Sequence, residues 1–290
     1  MSFATRLALL RRQAGAVAAT GSQQPAAVAP PAAPRPAPVP AVPDAALLRR
    51  ALVRRGVAPA NRVTGPALPG RAIAPGVLYV EERFVWDDGL DALLPPRWPD
   101  GRAVARERFL CFDTETTGLA GGTGTRAFMI GAADWHAGML RVRQLYLTAL
   151  GGETAMLDCF AAWLAPERVL ISYNGRCYDA PLLAARYRLA RRANPLAGLA
   201  HVDLLHGVRR RYRGVWENCR LATVERELLR IVREDDLPGA EAPGAFLAYL
   251  RQGHTHDLAR VLEHNRQDAV SLARLLQWLA GGPGSHGLAG

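Results

Sequence analysis

Phe109 to Leu119 reads F-L-C-F-D-T-E-T-T-G-L, an apolar run that ends in two carboxylates one residue apart, Asp113 and Glu115. Phe109 to Phe112 has the character of a buried strand. Side chains alternate along a strand with period two, so Asp113 and Glu115 project from the same face. Two acids forced together at the end of a buried strand repel each other unless a proton or a cation sits between them. That is how a divalent metal site is built. The competing reading is a capped turn, in which Asp113 and the threonines bond locally to backbone and Gly118 permits the chain reversal.

Two further stretches end in the same way. Val169 to Asp179, V-L-I-S-Y-N-G-R-C-Y-D, is again an apolar strand running into polar residues, here Asn174, Tyr178 and Asp179. Asn174 is expected to tie this stretch to the site by hydrogen bonds, and Tyr178 to pack in the core. Glu263 to Leu272, E-H-N-R-Q-D-A-V-S-L, falls inside an amphipathic helix running from about Asp257 to Leu279. Four residues apart on a helix is one face, so His264 and Asp268 are neighbours, while Val261, Leu262, Leu272, Leu275 and Leu276 supply the packing stripe. Taken alone, such a His–Asp pair is a solvated surface pair.

Around these segments the pattern alternates strand and helix. Ala127 to Ala133 and Leu140 to Thr148 read as strands, Glu153 to Leu164 as a helix, Pro181 to Arg192 as a second helix, and Val202 to Leu205 as a short fifth strand or the start of a helix. From Leu221 onward the chain reads as helical. Strands first and helices last predict an α/β domain with a mixed central sheet flanked by helices. Upstream, Gly76 to Trp86 reads as a strand or hairpin. Asp44 to Arg55 reads as a short basic helix, with Asp44 as its cap and Gly56 as its stop. Residues 1–43 hold no acid and four arginines, Arg6, Arg11, Arg12 and Arg35, and Pro25 to Pro43 is almost wholly Ala, Pro and Val. Such a composition extends as polyproline II and cannot build a core. The expected organisation is a basic tail and linker over 1–43, an extension of helix plus hairpin over 44–100 packing on the main domain, the α/β domain over 101–281, and a disordered tail over 282–290.

Composition removes several functions. The chain has 290 residues, long enough for a proper core, so a peptide hormone, toxin or disulfide scaffold is excluded. No apolar run approaches the roughly 18 residues of a membrane span, and Leu7 to Leu10, followed by Arg11 and Arg12, is too short for a secretory signal. The expectation is a cytoplasmic protein with no membrane partner. Its four cysteines, Cys111, Cys159, Cys177 and Cys219, form no C-x-x-C pair and read as reduced core thiols. All 36 basic residues are arginine. Without lysine there is no P-loop lysine, no Schiff base and no kinase strand lysine, so the glycine-rich Gly118 to Gly124 is not a nucleotide-cofactor loop. The net charge of +10 fits a nucleic-acid partner, but a lysine-free chain has a global arginine bias that weakens this inference.

In order, D-x-E, then N-x-x-x-[FY]-D, then a helical acid preceded by His or Tyr, the chain resembles the DnaQ-like (DEDD) nucleases of the ribonuclease H-like superfamily. D-T-E-T-T-G-L-A-G-G-T-G-T, N-C-R-L-A-T-V-E-R-E-L-L and H-N-R-Q-D-A-V-S-L resemble the YprB-like family of predicted exonucleases within it. The likeness runs from about residue 71 to 279. It implies a ribonuclease H-like fold in which Asp113, Glu115, Asp179 and Asp268 converge on two divalent cations, Mg²⁺ or Mn²⁺. Four carboxylates balance two such ions in charge, and hard oxygen ligands suit them. Two-metal sites hold their ions about 3.5–4 Å apart and hydrolyse phosphodiesters. The resemblance further implies that Asp113 bridges both ions, that Glu115 and Asp268 hold the ion on the water side, and that Asp179 serves the second. His264 is the candidate general base, its ordinary pKa near 6.5 leaving a neutral imidazole at pH 7. The superfamily pairs tyrosine at a spacing of four, or histidine at five, with its last acid, and this chain places histidine at four.

Candidate substrate contacts surround these acids. The glycine-rich loop from Gly118 to Gly124 allows close backbone approach to a terminal nucleotide, with Thr116 and Thr117 near its sugar or phosphate, against the alternative of a flexible turn. Arg209, Arg210, Arg211 and Arg213, interleaved with Tyr212 and followed by Trp216, combine phosphate-binding guanidinium groups with stacking rings. Arg211 and Tyr212 head this set, the alternative being a solvated helix face. His254 and His256 are assigned no role. The function expected is a 3′-to-5′ exonuclease on single-stranded DNA or RNA ends. The alternatives are a structure-selective endonuclease of the same superfamily and an inactive nucleic-acid-binding module.

Overall fold

The computed structural model describes residues 63–86, 91–95, 98, 101–118 and 124–281. The tail, linker and Asp44 to Arg55 helix expected upstream lie outside the described residues, as does the tail from 282. Nine strands are described: β1 Arg71–Ala74, β2 Val77–Val85, β3 Ala92–Leu93, β4 Val104–Ala105, β5 Phe109–Thr116, β6 Ala127–His136, β7 Met139–Leu147, β8 Val169–Ser172 and β9 Ala200–Asp203. The helices are α1 Glu153–Ala161, α2 Asp179–Leu189, α3 Leu204–Tyr212, α4 Leu221–Val224, α5 Ala242–Gln252 and α6 His256–Gly281. Seven strands form one mixed sheet in the order β1-β2-β7-β6-β5-β8-β9, antiparallel up to β5 and parallel from β5 to β9. β3 and β4 pair separately.

The apolar alternation places the helices. Leu110 and Phe112 of β5 enter one core with Met156, Leu157 and Phe160 of α1, Leu183 and Tyr187 of α2 and Phe246 of α5. Phe109 and Cys111 enter the other with Leu204 and Val208 of α3 and Leu272, Leu275 and Leu276 of α6. The sheet is thus covered on both faces. α6 serves both cores, since its first half supplies Leu258, Val261 and Leu262 to the former. No helix among the described residues is long and apolar enough to cross a membrane.

Several elements differ from the sequence reading. β5 does not stop at Phe112 but continues through Glu115, because β6 pairs with it as far as Thr116. α2 begins at Asp179, two residues before Pro181, as proline is accepted in a first helical turn. Val202 to Leu205 is both things at once, with β9 ending at Asp203, whose side chain caps α3 by accepting from the Leu205 N–H at 3.1 Å. The stretch after Leu221 is not continuously helical. A π-turn follows α4 over Glu225–Leu229, Arg230 adopts the left-handed conformation with φ of 56°, and an irregular segment with a bend at Glu234 and Asp235 leads to Pro238. That non-helical segment carries Arg233 and Asp236 into the site described below.

One glycine lets α6 reach the sheet. Gly131 of β6 lies opposite Asp113 on one side and Gln144 on the other. A Cβ there would stand 2.1 Å from Oδ1 of Asn265 on α6, closer than any real contact. Asn265 uses the gap to connect three strands: its Oδ1 accepts from Gln144 Nε2 at 3.0 Å and its Nδ2 donates to Asp113 Oδ2 at 3.1 Å. Gly131→Ala is expected to destabilise the fold by about 1–3 kcal/mol through overpacking. Urea unfolding of a double-mutant cycle checks the cause, since the cost of Gly131→Ala shrinks when Asn265 is already alanine.

Candidate active site

Three elements deliver the four acids. Asp113 and Glu115 come from the end of β5, Asp179 from the first turn of α2, and Asp268 from the middle of α6. Their charges feel one another. Burial, then the charges of Asp268, Asp179 and Glu115, hold the Asp113 carboxyl well above the usual range. Burial also raises Glu115 to about 7, with Asp268 and Asp179 adding to it and His264 and Arg233 opposing. Asp179 rises to about 6 through burial, against the hydrogen bond it accepts from Thr114. Asp113, Asp179 and Asp268 are only half-buried, so the cluster is open on one side.

Three of the four acids have a hydrogen-bonding or ion-pair partner. Thr114, pointing to the other face of β5, holds Asp179. Gly175 closes the turn before α2, where a Cβ would come 2.6 Å from Ser172 Oγ and 2.9 Å from Asp179 Oδ2. Asn174 has a left-handed backbone, φ 66°, and ties the turn down through its N–H, which donates to Asp203 Oδ1 at 2.8 Å. The expected tie therefore runs through backbone to a residue the sequence reading did not select. Asp203 Oδ2 also takes the Arg176 N–H at 3.2 Å.

Asp268 is gripped by Arg233. Arg233 is in turn anchored by Glu225, which is 1% exposed, through Nε to Oε2 at 2.7 Å and a second guanidinium bond to Oε1 at 2.6 Å. His264 sits beside this pair. Its Nδ1 is 2.7 Å from Asp236 Oδ1 and 3.1 Å from Arg233, and its Nε2 is 3.7 Å from Asp268 Oδ2. Burial opposes a charge on the ring, yet Asp268, Asp236 and Glu115 together raise its pKa above the ordinary value.

Among the described residues, no three His, Cys, Asp or Glu side chains are closed into a cage ready to hold an ion. The donor set nonetheless suits hard divalent cations: four carboxylates in mutual repulsion, two of them turned onto Thr114 and Arg233. A cation would relieve the repulsion that raises the Asp113 and Glu115 carboxyls.

The remaining expected contacts divide. Thr116 and Gly118 line a cavity of about 370 Å³ beside Asp179, with Thr114, Thr125, Tyr178 and Leu182. Thr116 donates to the Gly118 carbonyl at 2.9 Å, and the Thr117 hydroxyl accepts from the Arg126 N–H at 3.0 Å, so both threonines also brace the turn. Residues 119–123 of the glycine-rich loop lie outside the described residues. Tyr178 is not in the core. It is 64% exposed, because it precedes α2 at the helix boundary and faces outward. Arg211 and Tyr212 are not brought to the acids: Arg211 lies over Trp278 at 5.2 Å, and Tyr212 stacks on Trp216 at 3.8 Å.

Asn265, Arg233, Glu225, Asp203 and Asp236 were not singled out by the sequence reading. Asn265 had a signal, since it interrupts the apolar stripe Leu258, Val261, Leu262, Ala269, Leu272, and a polar side chain on a buried face needs a partner.

The RNase_H superfamily matches residues 110–280. The uncharacterized protein YprB of Bacillus subtilis (strain 168) is 38% identical over 165 residues, which is 57% of this chain and 40% of that protein. The chain therefore spans well under two thirds of that relative. Among solved structures, the family B DNA polymerase from the hyperthermophilic archaeon Pyrobaculum calidifontis aligns with a TM-score of 0.44 at 14% identity, over 57% of this chain and 24% of the polymerase. E. coli exonuclease I in complex with a dT13 oligonucleotide aligns with a TM-score of 0.36 at 16% identity, over 54% of this chain and 42% of the exonuclease.

Two outcomes follow from the electrostatics. The carboxyls of Asp113, Glu115 and Asp179 have folded pKa values above their unfolded ones, so the folded chain binds more protons between about pH 4 and 7 and loses stability as pH rises through that window. His264, also raised, acts in the same direction. Thermal unfolding in EDTA should therefore give a lower midpoint at pH 8 than at pH 5, with added Mg²⁺ raising the midpoint more at pH 8. Arg233→Met leaves Glu225 buried without its cation and should cost about 3–5 kcal/mol in urea unfolding. Adding Glu225→Gln should recover part of that loss.

Proposed function

The chain belongs to the RNase H superfamily, and on that premise we propose that it is a metal-dependent 3′-to-5′ exonuclease acting on single-stranded DNA or RNA ends. The observation that supports the reading is the mutual influence of acids delivered by β5, α2 and α6: Asp268, Asp179 and Glu115 raise the Asp113 carboxyl, and Asp268 and Asp179 raise Glu115. Residues 101–281 form the proposed nuclease domain. The pairing of β2 with β7 joins Val77 to Val85, upstream of residue 101, to the sheet of that domain. The proposed location is the cytoplasm, and the proposed partner is nucleic acid.

Asp113, Glu115, Asp179 and Asp268 would hold two divalent ions, Mg²⁺ or Mn²⁺, which supply water activation and charge stabilisation at the phosphate when bound. The side chains do the rest. Thr114 orients Asp179, and Asn265 orients Asp113. With Nδ1 donating to Asp236, the His264 lone pair lies on Nε2, on the Asp268 side, where it can take a proton. The cavity beside Asp179 is of the size that takes a small organic group, and its Tyr178 and Leu182 walls offer apolar contact to a terminal nucleoside. Its Thr116 and Gly118 supply polar contact.

The test is a Mg²⁺ and Mn²⁺ time course on 5′-labelled single-stranded DNA and RNA of one sequence. The expected result is a ladder shortening from the 3′ end with wild type and none with Asp113→Ala, whose fold is retained because it relieves a repulsion. Internal cuts would move the assignment to an endonuclease. Full activity in Asp113→Ala would overturn the site.

A further inference from the structure

Arginine is so abundant here that its partners are more informative than its number. Most described arginines meet an acid, a carbonyl or an aromatic ring of their own chain. Asp134, for instance, takes ion pairs from Arg141, Arg143 and Arg168 at once. Arg209, Arg213 and Arg220 are among the exceptions, and these three lie together. All three are exposed, and none makes an ion pair or side-chain hydrogen bond among the described residues. They line one groove of about 670 Å³, together with Tyr173, Asn174 and Trp216.

The groove is built rather than incidental. Trp216 is fixed by stacking on Tyr212, their planes 4° apart. The Tyr173 hydroxyl donates to the Cys219 carbonyl at 2.7 Å, and Asn218 takes both the Arg220 N–H at 2.8 Å and the Thr223 hydroxyl at 2.7 Å. Glu217 is the acid on its rim, and it pairs at 2.8 Å with Arg226. Three guanidinium groups are thus left facing solvent around a wall set in advance. Its lining includes Asn174, whose neighbour Gly175 packs against Asp179. The groove therefore adjoins the acid cluster.

We propose that this groove, with Arg209, Arg213 and Arg220 as its phosphate ligands, binds the sugar-phosphate backbone of a single-stranded nucleic acid next to the acid cluster. Guanidinium forks match phosphate oxygens with two parallel hydrogen bonds. Trp216 and Tyr173 give π surface to bases, which only an unpaired strand can offer. Arg211 and Tyr212, the members of the cluster that sequence reading favoured, instead serve as the groove's support: Tyr212 props Trp216, and Arg211 lies on Trp278. The proposal takes from the nuclease reading only the purpose of the strand, since the binding itself depends on the three arginines.

The test measures binding and chemistry separately. A fluorescein-labelled single-stranded oligothymidylate is titrated by fluorescence anisotropy in Ca²⁺ against wild type, the triple variant Arg209→Gln/Arg213→Gln/Arg220→Gln, and a control triple variant Arg188→Gln/Arg191→Gln/Arg251→Gln. The control residues are also exposed and without a charged partner among the described residues, but lie outside the groove. The groove variant should bind on the order of tenfold or more weakly, with a salt slope shallower by about 2, since each phosphate contact on a single strand contributes about 0.7. The control should bind within about twofold of wild type, as bulk charge alone is screened. Hydrolysis of thymidine 5′-monophosphate p-nitrophenyl ester in Mn²⁺, a substrate too short to span both sites, should be equal in all three proteins. Equal loss in both triple variants, unchanged binding in the groove variant, or no binding by wild type would overturn the groove. Loss of binding confined to the groove variant, with no ester hydrolysis by wild type, would uphold the groove and sink the nuclease reading.

Discussion

Carboxylates that repel one another at the half-open end of a buried strand are the constraint on which the rest of this structure turns. The cost is visible in the titration of Asp113, Glu115 and Asp179, all displaced upward by burial and most of them further by each other. A fold seeking only stability would place an arginine between them or an apolar residue in their stead. This chain has 36 arginines available and sends one, Arg233, to Asp268 alone. The other acids of the cluster keep no ion pair with arginine among the described residues. On the proposed reading, this retained repulsion is what an external cation would relieve.

The scaffold answers that repulsion with neutral hydrogen bonds. Asn265 reaches Asp113 through the gap left by Gly131 and is itself held by Gln144, whose Nε2 also donates to the Leu262 carbonyl at 2.8 Å. Thr114 plays the same part for Asp179. Such donors orient a carboxylate without cancelling its charge, as an arginine would. Arg233 is the exception, and its charge is already shared with Glu225, which the Ser271 hydroxyl also contacts. Held by the buried Glu225, Arg233 fixes the position of Asp268, and its charge also reaches the cluster, opposing the rise of Glu115.

How much of this was legible in the sequence depends on the range of each interaction. The mixed α/β sheet, the same-face placement of Asp113 and Glu115, and the His264–Asp268 pairing follow from periods of 2 and 3.6, which are local. The family's motif order then brought Asp179 into the set. What local pattern cannot give is the partner across the fold. Arg233 meets Glu225 and Asp268 only because the chain leaves its helix after Leu229, and nothing in R-I-V-R-E-D-D marks that departure, so the segment reads as more helix. Gly131 in A-F-M-I-G-A-A looks like a weak spot in a strand, and its meaning appears only when α6 is laid against it. The arginine run 209–213 shows the same limit: alternate residues on a helix diverge, and Arg209 and Arg213 share the groove while Arg211 turns to Trp278.

The spacing of four between His264 and Asp268 can be argued through on the same terms. On α6 that spacing puts both side chains on one face, with Nε2 3.7 Å from the carboxylate. The pKa of the ring is then a balance: burial drives it down, while Asp268, Asp236 and Glu115 drive it up and prevail. Two of those three carboxylates, Asp268 and Glu115, belong to the cluster proposed to hold divalent ions. Compensating their charge removes much of the upward pull and leaves burial and Arg233, which both favour the neutral ring. On the proposed reading, His264 therefore holds a proton more tightly while the acids are uncompensated and less tightly once they are neutralised. A base adjacent to its acids gains in this way what a more distant one would lack, a protonation state coupled to the charge of the site it serves.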